Sequence, residues 1–342
     1  MAEPTLNRRD LLSGLLALGA ALPSSAATSD NMPRRTLGRT GEKVSCIGLG
    51  GSHIGKAKLS DDEAVRLIRQ ALDRGLNFMD NSWDYNDGKS EIRMGKALQD
   101  GYRQKAFLMT KFDGRTKDAA AQQIDESLKR LKTDHVDLLM FHETIRFDDP
   151  DRFFAPGGAR EALDAAKQAG KTRYIGFTGH KDPHIHLYML ELARQHNYHF
   201  DVVLFPINPM DAHFRSFENQ VIPVAQQMGV AVISMKPIGG GVILKSNTVS
   251  APECLRWALN KPTCVVITGI DGQPILDQAF QVASSFKPLT KQEEAAILAK
   301  TKQAAANGEY ELFKTTAHFD STAKHPEWLG QETPQVQQLS KT

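Results

Sequence analysis

Three stretches decide the fold: NFMDNSWDY (77–85), KAFLMTKF (105–112) and VDLLMFH (136–142). Each opens on a short strand-like run. Helical patterns, SEIRMGKALQ (90–99) and DAAAQQIDESLKRL (118–131), separate one run from the next. A strand, a helix and a second strand in turn make a parallel βαβ unit. Asp80 and Tyr85, Lys111 and His142 stand at or just beyond the ends of these three strands. In a barrel of parallel strands, the ends of consecutive strands meet on one rim. An acid, a phenol, an amine and an imidazole would then share one pocket, a set suited to delivering a proton to a carbonyl oxygen.

The same alternation extends outward. Further strand-like runs are KVSCIGLG (43–50), TRYIGFTG (172–179), DVVLFPIN (201–208), VAVISMKP (230–237) and TCVVITGI (263–270). Several are apolar at successive positions, as strands covered on both faces should be. Helical patterns cover 60–75, 159–170, 184–195, 217–229, 251–260 and 274–286. Ser60 is placed as an N-cap with acids behind it, and Gly75, Gly170 and Gly229 suit helix ends. Eight strand–helix units predict an α/β fold, a (β/α)8 TIM barrel. The rival is an open doubly wound sheet, which usually begins with G-x-G-x-x-G; GLGGSHIG (48–55) does not match it. One more helix is expected over 291–305, then a loop-rich segment and a polar tail over 331–342.

The chain has 342 residues, of which the first 27 read as a leader. Arg8 and Arg9 precede a short apolar run from Leu11 to Leu22, and Ser25, Ala26 and Ala27 offer a small-residue cleavage site. That order predicts a Tat-type signal peptide over 1–27, export through the Tat machinery, a periplasmic location and no membrane anchor after cleavage. The bland reading is an uncleaved amphipathic helix. The barrel is assigned to 28–330. Apolar content of 41% and a net charge of +2 are ordinary for a globular protein and give no basic excess for nucleic acid. Cys46, Cys254 and Cys264 form no C-x-x-C pair, so no metal ribbon is expected. Cys254 and Cys264 could pair in an oxidising compartment, though buried free thiols are the ordinary state. His184 and His186 are two apart on a helix and do not face one another, and DDPD (148–151) reads as a solvated acidic turn, so no metal site is expected.

A free phenol near pKa 10 is a poor acid at neutral pH, and a neighbouring ammonium favours its ionised form. Lys111 is placed to be that neighbour and Asp80 to hold the lysine, while His142 can bond a carbonyl. These four residues in order, with RRTLGRTGEKVSCIGLGG (34–51), G-L-N-F-M-D-x4-Y, M-T-K and L-L-M-F-H, resemble the aldo-keto reductase superfamily over nearly all of the chain after the leader. The resemblance implies an N-terminal hairpin and first barrel strand over 34–51, and a catalytic tetrad of Asp80, Tyr85, Lys111 and His142, with Tyr85 as general acid. It also implies an NAD(P)-dependent oxidoreductase that interconverts a small-molecule carbonyl and an alcohol.

The implied cofactor positions are less regular. Gly50, Gly51 and Ser52 follow the first strand, and GFTGH places Thr178 and Gly179 where the family has serine and asparagine. Asn208 stands for a glutamine, and Met235 for a tyrosine that stacks on nicotinamide. Lys236, Pro237, Ile238 and Gly239 resemble a phosphate-binding loop. Gly269, Asp271 and Gln273 fall in the segment that cradles adenosine. Asp271, where the family often has a base, implies a modest preference for NADH over NADPH. His53 and Trp83 are expected at the substrate. The rival readings are a binding or regulatory protein with a vestigial pocket, and a barrel enzyme using the tetrad for another proton transfer.

Overall fold

The computed structural model describes residues 32–330; the leader (1–27) and the tail (331–342) lie outside the described residues. A two-stranded hairpin, β1 (Arg34–Thr36) and β2 (Lys43–Ser45), leads into eight barrel strands. These are β3 (Ile47–Gly50), β4 (Phe78–Asp80), β5 (Phe107–Phe112), β6 (Val136–Phe141), β7 (Thr172–Thr178), β8 (Val202–Pro206), β9 (Ala231–Met235) and β10 (Val265–Gly269). All pair in parallel, and β10 closes on β3. The expected (β/α)8 barrel is the fold, with helices between the strands.

One run is not the single strand that 43–50 suggests. Cys46 breaks it: its N–H donates to Pro33 O at 2.9 Å, outside the barrel ladder. Ser45 Oγ donates to Ile47 O at 2.7 Å and accepts from the N–H groups of Asn77 and Phe78 at 3.1 Å. The chain therefore turns from hairpin to barrel within one residue. Leu37 and Val44 of the hairpin bury themselves among the barrel's interior side chains and stopper the end opposite the site.

The strand pleat positions the chemistry. Phe78, Met109, Met140, Ile233 and Ile267 fill the barrel interior, whereas Met79, Leu108, Leu139 and Phe141 pack in the layer beneath the helices. Side chains on one face recur every second residue. Two residues beyond each interior side chain come Asp80, Lys111, His142, Met235 and Gly269, which thus top the inward-facing columns. The ladders set neighbouring heights: Asp80 lies opposite Met109, and Lys111 opposite Met140.

Helix starts follow the sequence where caps were legible. Ser60 caps Asp61–Asp73 in a reciprocal box with Glu63, and Gly229 ends Phe217–Met228 at φ 67°. The acidic stretch 148–151 is not a solvated turn. Asp149 opens a helix (Asp149–Phe154), is fully buried, and accepts from Arg115 Nε at 2.9 Å. A buried carboxylate persists when paired and hydrogen-bonded, and the N–H groups of Ile145 and Arg146 complete its shell. His186 is buried among Phe177, Phe205 and Phe217, while exposed His184 bonds Asp182, so the two make no metal pair. All three cysteines are free thiols, and burial pushes Cys254 up to about 12. No helix among the described residues is long and apolar enough to cross a membrane. After the helix Lys291–Ala305, short helical turns at Leu312–Thr315, Ser321–Lys324 and Pro326–Leu329 cross the open end of the barrel.

Candidate active site

The four side chains singled out in sequence meet at the base of a cavity of about 300 Å³. Lys111 Nζ donates to Asp80 Oδ1 at 2.5 Å, to Asn81 O at 2.6 Å and to Tyr85 OH at 3.1 Å. All three donors of the ammonium are used, so its position is fixed. Tyr85 sits edge-on to His142 with ring centroids 5.8 Å apart. The phenol is not softened as the sequence suggests. Burial pushes Tyr85 well above the usual phenol range, and the Asp80 and Asp84 carboxylates push it further. Tyr85 is therefore a neutral donor at rest.

His142 is held by a shell the sequence did not disclose. Its Nδ1 faces Asp113 Oδ1 at 3.0 Å, Ser82 Oγ at 3.1 Å and Asp84 Oδ1 at 3.4 Å. Burial holds the imidazole down to about 4 and pushes Asp113 up to about 7. The ring is neutral near pH 7, where Asp113 is divided between its carboxyl and carboxylate forms. Arg115, fully buried, donates to His142 O at 3.0 Å, Glu143 O at 2.6 Å and Asp113 O at 2.7 Å, tying the end of β6 to the loop after β5. Asp113 closely follows Lys111 in sequence, and its role could have been suspected only from strand register.

On the other side of the cavity stand Gly50, Ser52, Thr178, Gly179, Met235 and Lys236. Pro237, Ile238 and Gly269 line it too. Thr178 Oγ1 is buried and has no hydrogen-bond partner among the described residues. Gly269 leaves room for the His53 ring, which an added Cβ would meet at 2.3 Å, and His53 reaches the cavity as expected. At Gly179 an added Cβ would lie 2.2 Å from Thr144 O, so no side chain fits where the family pattern has asparagine. Gly51, Asn208, Gly239, Asp271 and Gln273 lie outside the lining, as does Trp83. Asn208 is engaged below it, donating to Glu311 at 3.0 Å and accepting from the N–H groups of Met210 and Asp211. Trp83 Nε1 donates to Glu126 at 2.7 Å, and its ring meets Trp328 edge-on. Asp271 pairs with Lys58 at 2.5 Å, which offsets the charge on which the cofactor argument rests.

Residues 46–261 match the Aldo/keto reductase family. The chain belongs to that family. Among aldo/keto reductase relatives, it is 34% identical over 223 residues to L-galactose dehydrogenase of Arabidopsis thaliana. That alignment covers 61% of this chain and 66% of the plant enzyme, just under two thirds of the latter's length. An aldo-keto reductase of Alternaria alternata is 30% identical, over 60% of this chain and 65% of that protein. A solved aldo-keto reductase of Bacillus halodurans, in its holo form, superposes with a TM-score of 0.67 at 24% identity, over 82% of this chain and 99% of that one. Within this aldo/keto reductase, the family match spans β3 to β9 and stops short of β10.

Beyond the match, the C-terminal segment completes the site. His318, Phe319 and Ser321 line the cavity from above. Glu143 fastens this roof: its carboxylate accepts from Ser321 N at 2.7 Å, Thr322 N at 2.8 Å and Thr322 Oγ1 at 2.6 Å. His180 and Lys181 both bond Asp320, at 3.0 and 2.7 Å. These contacts join residues 139 to 179 apart in sequence and leave no local pattern to read.

Proposed function

We propose that this aldo/keto reductase interconverts an aldehyde or ketone and its alcohol, with Tyr85 as the proton donor. The observation that carries the proposal is the hydrogen-bonded chain Asp80–Lys111–Tyr85 beside His142 at the cavity floor. A nicotinamide cofactor, when bound, supplies or receives the hydride. The orphaned Thr178 hydroxyl suits its amide, and Met235 offers a thioether face. The helix Gln273–Ser284 begins at Gly272 with no side-chain cap, leaving N–H groups for an anion. His142 orients the substrate oxygen, and Tyr85 gives that oxygen a proton. The phenolate formed is held by the Lys111 ammonium, which Asp80 keeps in place. A pure binding protein would gain nothing from a buried lysine against a tyrosine, which argues against the vestigial reading.

We also propose Tat export to the periplasm, on the strength of Arg8 and Arg9 before the apolar run. A free cofactor is expected to be scarce there, and export of the folded, loaded protein would supply it. Two experiments test these readings. Binding of NADH or NADPH, followed by reduction of any carbonyl in a small panel, tests the redox function; a protein that binds neither is not this enzyme. Arg8→Lys with Arg9→Lys should leave a longer, cytoplasmic product, and normal export of that variant would remove the Tat reading.

A further inference from the structure

Behind the reacting groups, one ring nitrogen is crowded by oxygens. His142 Nδ1 faces Asp113 Oδ1 at 3.0 Å, Ser82 Oγ at 3.1 Å and Asp84 Oδ1 at 3.4 Å. A single N–H can serve only one of them. Asp84 Oδ1 and Asp113 Oδ2 are buried with no hydrogen-bond partner among the described residues. The two acids are only 8% and 0% exposed.

The nearest cations are spent elsewhere. Lys111 gives its donors to Asp80, Asn81 and Tyr85. Arg115 gives its guanidinium to the Asp149 carboxylate and to the carbonyls of Asp113, His142 and Glu143. Neither reaches the Asp84 or Asp113 carboxylate with a hydrogen bond. Buried charges are paired with an opposite charge or coordinate a metal.

The spacing has the scale of a coordination shell. A nitrogen and an oxygen on one zinc ion, each about 2.0–2.2 Å from it, stand roughly 3.3 Å apart at a tetrahedral angle. The 3.0 and 3.4 Å separations bracket that edge. One ligand atom from each of Asp84, Asp113 and His142 lies within 4.8 Å of the other two. An imidazole in the set favours zinc and its first-row neighbours over magnesium or calcium. Asp84 and His142 also line the cavity, which gives an ion its way in. The ligands stand just beyond the ends of β4, β5 and β6, too far apart in sequence to show a metal-ligand spacing.

We propose that Asp84, Asp113 and His142 form a site for one divalent transition-metal ion, with zinc as the type case. An ion there claims Nδ1 and leaves the ring proton on Nε2, the atom left to donate to a substrate oxygen. That consequence for turnover rests on the redox reading above; the site itself does not. In the ion's absence the cluster falls back on a proton, in keeping with the divided state of Asp113 near pH 7.

The test is calorimetric titration of zinc chloride into the chelator-stripped full chain. The parent should bind one ion per chain. Asp84→Asn and Asp113→Asn keep the side-chain shape and remove one anionic ligand, and each should weaken binding by about tenfold or more. Thermal melting without zinc checks that both variants fold. A parent that binds no zinc overturns the proposal. So does binding that persists at parent strength in both variants, since the ion then sits on surface histidines. If neither variant folds, anomalous diffraction at the zinc edge from parent crystals grown with one equivalent of zinc decides. A peak bonded to His142 Nδ1 supports the site, and a peak elsewhere or none overturns it. If zinc binds as described and no carbonyl is reduced with or without it, the redox reading fails and the metal site stands.

Discussion

The two halves of the barrel rim differ in how finished they are. Along β4 to β6 the reactive groups are already partnered: Lys111 spends its donors on Asp80, Asn81 and Tyr85, and His142 leans on Asp113 and Ser82. Along β7 to β10 two polar groups of the cavity stand open: among the described residues Thr178 Oγ1 has no hydrogen-bond partner and Lys236 has no close acid. Groups that stabilise developing charge work best when fixed beforehand. Groups that grip a ligand can have their hydrogen bonds completed by it. The contrast fits the proposed reading, in which the first half does the chemistry and the second the recognition.

The largest break in this contrast should come from Tyr85→Phe. Turnover on a confirmed carbonyl should fall by about 100- to 10,000-fold, with cofactor Kd little changed, because only the proton donor is lost. Unchanged turnover would show that Tyr85 is not the acid. Lys111→Met should follow. It strands Asp80 in a buried site and should lower unfolding free energy by about 3–5 kcal/mol in a denaturant titration. Adding Asp80→Leu should recover part of that loss; strict additivity would mean that the pair is not coupled.

A smaller effect sharpens the comparison. As a carboxyl, Asp113 donates to His142 Nδ1 and leaves Nε2–H to meet the substrate oxygen; as a carboxylate, it takes the Nδ1 proton and leaves Nε2 bare. Burial places that change at about 7, in a field that includes Arg115, Lys111, Asp149 and Arg146 on Asp113, and Asp84 and Glu143 on the ring. Reduction should therefore fall about tenfold between about pH 6 and about pH 8. Asp113→Asn, whose amide can donate at any pH, should flatten that limb of the kcat/KM profile. A limb that persists in the variant belongs to another group. The smallest effect is at the open half. Lys58→Ala uncovers Asp271 and should shift the Kd ratio toward NADH, but an exposed pair contributes only about 0.2–1 kcal/mol, a factor of about five at most. A shift toward NADPH would exclude repulsion by Asp271.

The barrel was legible because strand and helix periods alternate, and because Asp80, Lys111 and His142 sit at strand ends where a parallel barrel must gather them. What was not legible arose across distance. Lys58 reaching Asp271, Glu143 reaching Thr322 and Arg115 gathering the loops after β5 and β6 are tertiary pairings without a spacing signal. The break between the hairpin and the first barrel strand was masked because Cys46 is apolar and extends the strand pattern through it. Asp149 was misread for the opposite reason: three acids in four residues look solvated until a buried guanidinium is known to wait for one of them. The upward push on Tyr85 was missed because the sequence names the nearby ammonium and conceals the burial.

The roof has a consequence for timing. Its clasp joins Glu143 to residues 178 and 179 positions later, so the mouth can close only when nearly the whole chain has left the ribosome. The barrel strands end at Gly269, well before that. Through the last stretch of synthesis, a cup with its reactive floor in place would stand uncovered, and closing so long a loop is among the slower steps open to the chain. A chain cut short after the helix Lys291–Ala305 would keep every barrel strand and lose its lid.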